Sequence, residues 1–245
     1  MSRPTRRART ARPALAAHAA TKAYADLVAL APLTLSIAPG ERIALVGHNG
    51  SGKSTFLRLA AGMLDLSSGE IEVAGRPVGS PEARAATSFI PDNPVLYDDL
   101  SVREHLAYIA SLHGVEATDE QFDQLVEAVG LTARADDLPA RFSRGLRQKA
   151  AIAVGLVRPF TLLLVDEPFV GLDLPGREAL LALLDNAHAL GSAVVVATHE
   201  PTYVERVDRC IALRDGELVH DGPATPADVV RLVGAGDAMD GAPSH

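Results

Sequence analysis

Among 245 residues the sequence has a single cysteine, Cys210. One thiol cannot close an internal disulfide, so no oxidised scaffold is expected, and the count suits a reducing cytoplasm. The eight histidines form no zinc-ligand spacing with it. No uninterrupted apolar run reaches about 18 residues, so no segment is expected to span a membrane as a helix. ALAAHAA near the start is too short and too weakly apolar, and no signal-peptide pattern is expected there. Surplus positive charge is missing too. The first 13 residues hold five arginines and no acid, so the net charge of −8 falls to −13 over the rest. Such a body is a poor surface for nucleic acid. Internal repeats and sustained heptads are also absent. What is plentiful is apolar content, 47%, enough for the core of one large domain or of a domain with an insert.

The pattern along the chain alternates strand and helix. LTLSI alternates, Pro39-Gly40 turns the chain, and RIALVG reads as a short buried strand. STFLRLAAGML reads as a helix and EIEVAG as a strand ending at a glycine turn. From about Pro91 the texture becomes helical. SVREHLAYIASLHG opens with the Ser101/Glu104 capping box. TDEQFDQLVEAVG repeats it with Thr118 and Gln121, and sets Phe122, Leu125, Val126 and Val129 on one face. SRGLRQKAAIAVGLV makes a third helix. TLLLVDEP and SAVVVATH are continuous apolar strands, as in a parallel sheet covered on both sides. PGREALLALLDNAHALG is the helix between them. CIALRDGELVHDG carries a hairpin signal at Asp215-Gly216. The expected fold is α/β, mainly parallel with an antiparallel portion, and a helical insert over about 92–156. The expected single domain spans 14–235, between a basic disordered tail at 1–13 and a flexible tail at 236–245. The arginine tail is either solvated or in touch with anionic lipid.

Two stretches carry chemistry. GHNGSGKST, Gly47 to Thr55, fits G-x-x-x-x-G-K-[ST] between a strand and a helix. Gly47, Gly50 and Gly52 permit the turns and the close approach of backbone to phosphate. Backbone N–H groups from His48, Asn49, Ser51 and Thr55 and the helix start then cradle the anion. Lys53 supplies a point charge to the β- and γ-phosphates, and Ser54 a hydroxyl to Mg²⁺. LLLVDEP ends its strand on Asp166 and Glu167. Asp166 is suited to hold the metal with Ser54, and Glu167 to orient or deprotonate water; alone, such a pair also suits a helix cap. His199 ends the next strand, where it is either structural or a γ-phosphate contact. FSRGLRQKA adds a second anion-suited helix start, with Ser143 as N-cap.

In order and spacing these residues resemble the ATP-binding cassette (ABC) ATPase family over roughly Leu15 to Val233. GHNGSGKST is similar to its Walker A loop, LLLVDEP to Walker B, FSRGLRQKA to its signature, and Gly171–Asp173 to its D-loop. His199 is similar to its switch histidine, and Tyr24 to its adenine-stacking aromatic. The resemblance implies an ATP- and Mg²⁺-dependent ATPase. Two subunits, alike or different, pack head to tail, so that Ser143, Arg144 and Gly145 of one meet the ATP held by Lys53 of the other. It also implies a separate polytopic permease, probed through the insert and the Asp92 loop, and a cytoplasmic position on the inner face of the cell membrane. The S-R-G-L form resembles the branch serving exporter-type permeases.

Departures stand out. Arg144 replaces the usual glycine and Leu146 the usual glutamine. Arg144 is either a solvated charge or a phosphate or interface contact. Asp92 stands where the family usually has glutamine. It is a candidate Mg²⁺ ligand that adds negative charge beside the γ-phosphate, and Asn93 is a candidate substitute for the glutamine. Two rival readings follow: a soluble ABC ATPase working on ribosomes or DNA, and a non-hydrolysing partner in a heterodimer.

Overall fold

The computed structural model describes residues 12–234. The tails expected at 1–13 and 236–245 lie outside that range, apart from Arg12 and Pro13. Strands β1 (Leu15–Tyr24) and β2 (Leu27–Ile37) form a hairpin whose last pair is Tyr24 with Leu27. β3 (Arg42–Val46) leads through the glycine loop into α1 (Lys53–Ala60). β4 (Ser68–Val73) turns at Ala74-Gly75 into the short β5 (Arg76–Pro77). The Ser80 hydroxyl caps α2 (Pro81–Ala86), which runs directly into β6 (Thr87–Ile90). Three helices follow: α3 (Val102–Leu112), α4 (Asp119–Ala128) and α5 (Arg144–Leu156). Then come β7 (Leu162–Asp166), α6 (Leu174–Ala189), β8 (Ala193–Ala197), β9 (Arg209–Arg214), β10 (Glu217–Gly222) and α7 (Pro226–Gly234).

The larger sheet runs β10-β9-β3-β8-β7-β6, and the smaller runs β2-β1-β4-β5. In the larger, five strands are parallel and β10 alone returns antiparallel. Its hairpin turns on Asp215-Gly216, with φ +50° and +81°, the two positive angles that a type I′ turn requires. The smaller sheet is antiparallel throughout. The fold is thus the expected α/β class with a parallel sheet, an antiparallel sheet and helices.

The central strands are apolar on both faces because both are covered. Ile43, Leu45, Leu162, Leu164, Val195 and Ile211 face Phe56, Leu57 and Leu59 of α1 and the smaller sheet. Their neighbours Ala44, Val46, Leu163, Val165, Val194 and Val196 face the helices, as a period of two dictates. Both predicted capping boxes form, at Ser101/Glu104 and Thr118/Gln121. Each cap contributes about 1 kcal/mol. Buried His105 fastens the loop before α3: its Nε2 accepts from the Tyr97 N–H at 2.8 Å, so Nδ1 donates to the Ser101 carbonyl at 2.7 Å.

Parallel register decides where chemistry gathers. Leu45 pairs with Ala197, and Asp166 pairs with Ala197 from the other side. The segments leaving β3, β7 and β8 therefore emerge together at the carboxyl edge, where α/β sheets bind ligands.

Candidate functional site

The loop between β3 and α1 is held as much by neighbours as by its own glycines. Gly47 sits so close to the β9 backbone that an added Cβ would lie 2.3 Å from the Leu213 carbonyl oxygen and 2.4 Å from Ser51 Oγ. Gly50 and Gly52 have φ +82° and +101°, which only glycine adopts cheaply. Gly216 donates its N–H to the Ser51 carbonyl at 3.1 Å, and His48 Nε2 lies 3.3 Å from Asp215 Oδ1. The β9–β10 turn thus braces the loop, a role that no local pattern signals. Replacing Gly47 by Ala is expected to cost about 1–3 kcal/mol of unfolding free energy in denaturant melts, as overpacking does, and to weaken ATP binding about tenfold or more in a fluorescent-nucleotide titration.

Lys53 is buried at the start of α1 and donates to the Gly47 and His48 carbonyls at 2.7 and 3.2 Å. Its Nζ also lies 3.6 Å from Glu167 Oε1. Glu167 Oε2 lies 2.9 Å from His199 Nδ1. Three residues predicted separately, from three strand ends, are therefore in one chain of contacts. Glu167 is held there by its N–H, which donates to the Ala197 carbonyl at 2.9 Å, and by a φ of +44°. A left-handed non-glycine residue stores about 1–3 kcal/mol of strain and is characteristic of functional sites.

Asp166 is 1% exposed, and neither of its carboxylate oxygens has a hydrogen-bond partner. Burial raises its pKa above the ordinary carboxylate range; nearby Ser54 lowers it, while Glu167 and Asp92 raise it further and Lys53 opposes them. Ser54 does so from outside hydrogen-bonding geometry with those oxygens. An unpaired buried carboxylate is costly unless something cationic binds it. Mg²⁺ fits: it takes one or two protein oxygens and completes its octahedron with water and phosphate. Among the described residues no group of three or more His, Cys, Asp or Glu is arranged as a protein-only metal site.

The signature segment stands apart from the loop. Ser143 caps α5, its Oγ accepting from the Leu146 N–H at 3.3 Å, which leaves its hydroxyl proton for another acceptor. Gly145 packs on the segment after Glu167, and an added Cβ would sit 2.4 Å from the Gly171 carbonyl oxygen. Among the described residues, no hydrogen bond or ion pair joins Ser143, Arg144 or Gly145 to Gly47–Thr55. Arg144 instead donates to Asp92 Oδ1 at 2.7 Å, and Asn93 donates to Asp92 Oδ2 at 2.9 Å. Asp173 caps α6 and pairs with Lys149 of α5 at 2.9 Å, which lowers its pKa. Tyr24 ends β1 half exposed, with Lys22 Nζ 4.9 Å from its ring centre. The Arg144–Asp92 and Lys149–Asp173 pairs were not foreseen, because residues distant in sequence carry no signal of pairing.

A profile of the ABC transporter family matches residues 30–170. The "SkfA peptide export ATP-binding protein SkfE" of Bacillus subtilis is 34% identical over 204 residues, covering 82% of this chain and 85% of that protein. The "Aliphatic sulfonates import ATP-binding protein SsuB 2" of Burkholderia cenocepacia is 37% identical over 199 residues, covering 81% and 72%. A solved structure described as the ATP binding subunit of an ABC transporter superposes with a TM-score of 0.81 at 28% identity, covering 89% of this chain and 98% of that one. With its glycine loop, acidic strand end and signature helix arranged as described, this chain belongs to the ABC transporter family and carries its ATP-binding ATPase domain.

Proposed function

We propose that the chain binds and hydrolyses ATP in sites shared head to tail between two copies, and that it energises transport through a separate membrane permease. The observation carrying the chemistry is the convergence of Lys53, Glu167 and His199 beside the unpaired Asp166 carboxylate.

Phosphoryl transfer to water is mainly positioning and charge stabilisation. The Gly47–Thr55 backbone and the α1 N-terminus grip the phosphates, and Tyr24 stacks on adenine. Lys53 offsets charge on the β- and γ-phosphates. Glu167 orients the attacking water and takes its proton as the bond from the γ-phosphorus to the β–γ bridging oxygen breaks. His199 donates to Glu167 through Nδ1–H and, with both ring nitrogens carrying protons, donates Nε2–H to the γ-phosphate. Asp166 and Ser54 would hold Mg²⁺, which when bound neutralises phosphate charge.

The second copy supplies what no single chain brings to the loop: Ser143, the Gly145 backbone and the α5 helix start, whose field favours an anion. A Ser143→Arg change fills that position with a long cation. It is expected to lower ATP turnover about tenfold or more, while nucleotide binding by the dilute monomer persists. Unchanged turnover would remove the signature from the site.

Among the described residues no helix is long and apolar enough to cross a membrane; this reading places the permease on a separate chain. Export is favoured by the S-R-G-L signature and by the peptide-export relative; an import-named relative of similar identity makes direction a matter for a transport assay. Purification from mild-detergent membranes of the native host is expected to bring down a stoichiometric polytopic protein. Recovery only with ribosomes or DNA would favour the soluble alternative.

A further inference from the structure

Two residues that depart from the family pattern, 52 positions apart, meet in space. Arg144 is the first residue of α5, and that helix has no acid in its first turn. A cation there opposes the positive end of the helix dipole and is unfavourable unless an anion lies close. Asp92, on the loop leaving β6, is that anion at 2.7 Å. The stem of Arg144 crosses Gly171: a Cβ built at Gly171 would stand 3.6 Å from Arg144 Cγ. One signature side chain therefore pairs with the Asp92 loop and lies beside the segment following Glu167.

We propose that Arg144 is a positioning residue: paired with Asp92, it ties the start of α5 to the loop leaving β6 and so sets where Ser143 and Gly145 are presented to a partner's nucleotide. The inference rests on the shared-site reading above. It makes Asp92 the counter-charge of Arg144 rather than a metal ligand, which agrees with both its oxygens being engaged. An exposed ion pair shifts an equilibrium by about fivefold at most, so the effect falls on presentation rather than on folding.

The test is a double-mutant cycle of Asp92→Asn, Arg144→Gln and the pair together. Each single variant is expected to raise the KM for ATP about fivefold, to leave kcat and half-saturating Mg²⁺ within about twofold, and to speed amide exchange over residues 143–149. The double variant is expected to be no worse than the worse single, and Asp92→Glu to restore normal KM. Independent, additive effects, or a raised Mg²⁺ requirement in Asp92→Asn, would overturn the proposal. Amide exchange is measured without ATP, so it reads the tie even if the unmodified protein hydrolyses nothing, an outcome that would sink the proposed function separately.

Discussion

Glu167→Gln is expected to lower ATP turnover by about a hundredfold or more while ATP still binds. The magnitude is that of losing a positioned general base. The amide keeps the shape of the side chain and its hydrogen-bonding reach toward His199, now at 2.9 Å, but cannot take a proton. Lys53 loses an anion 3.6 Å away and keeps its two carbonyl partners, so the phosphate cradle stays intact. Steady-state phosphate release and equilibrium nucleotide binding, measured on the same preparation, separate the two effects. Turnover within about threefold of the unmodified protein would move the base elsewhere.

Asp166→Asn should also abolish most turnover, by about a hundredfold, because it removes the buried oxygen donor suited to Mg²⁺. Its effect on stability runs the other way. The Asp166 carboxyl has a pKa raised chiefly by burial. Between its unfolded and folded values the native state binds more protons, so stability falls as pH rises through that interval, and the penalty is complete above the folded value. Asparagine never carries this charge. The variant is expected to be more stable at pH 7 by on the order of 1 kcal/mol, with the gain vanishing as pH falls below the unfolded value of about 3.9. Denaturant melts across that range check it; a variant less stable at pH 7 would show that the ionised carboxylate is well satisfied in the fold. The expected gain would mean that the site keeps a destabilising charge in place for a ligand.

The sequence revealed elements wherever periodicity was long or punctuation strong. LLLVD and AVVVA could only be covered strands, and Ser101, Thr118 and Asp215-Gly216 marked two caps and a turn that the structure contains. Five elements escaped: β1, β5, α2, β6 and α7. β1 is alanine-rich, LAAHAATKAY, with several register shifts against β2, so alternation is broken and Thr21 is its one β-branched residue. The six-residue α2 and four-residue β6 are shorter than any period can be counted over. At the site, Lys53, Glu167 and His199 were each legible because each ends or follows a strand in a recognisable motif. Their mutual contact required the β3-β8-β7 order, which no local pattern encodes. The contact of Arg144 with Asp92 was invisible for the same reason, although each residue stood out alone.

Sharing of one ATP site between two copies is the central claim, and mixing two inactive variants tests it most directly. A Lys53→Ala chain lacks the loop charge but keeps a sound signature; a Ser143→Arg chain has the reverse. In a head-to-tail pair of the two, one site combines both defects and the other has neither. Each variant alone should turn over little ATP, and their mixture should recover up to about a quarter of normal activity, since about half of randomly formed pairs are mixed and each holds one sound site. A mixture no more active than its components would contradict the account and place the whole site within a single chain.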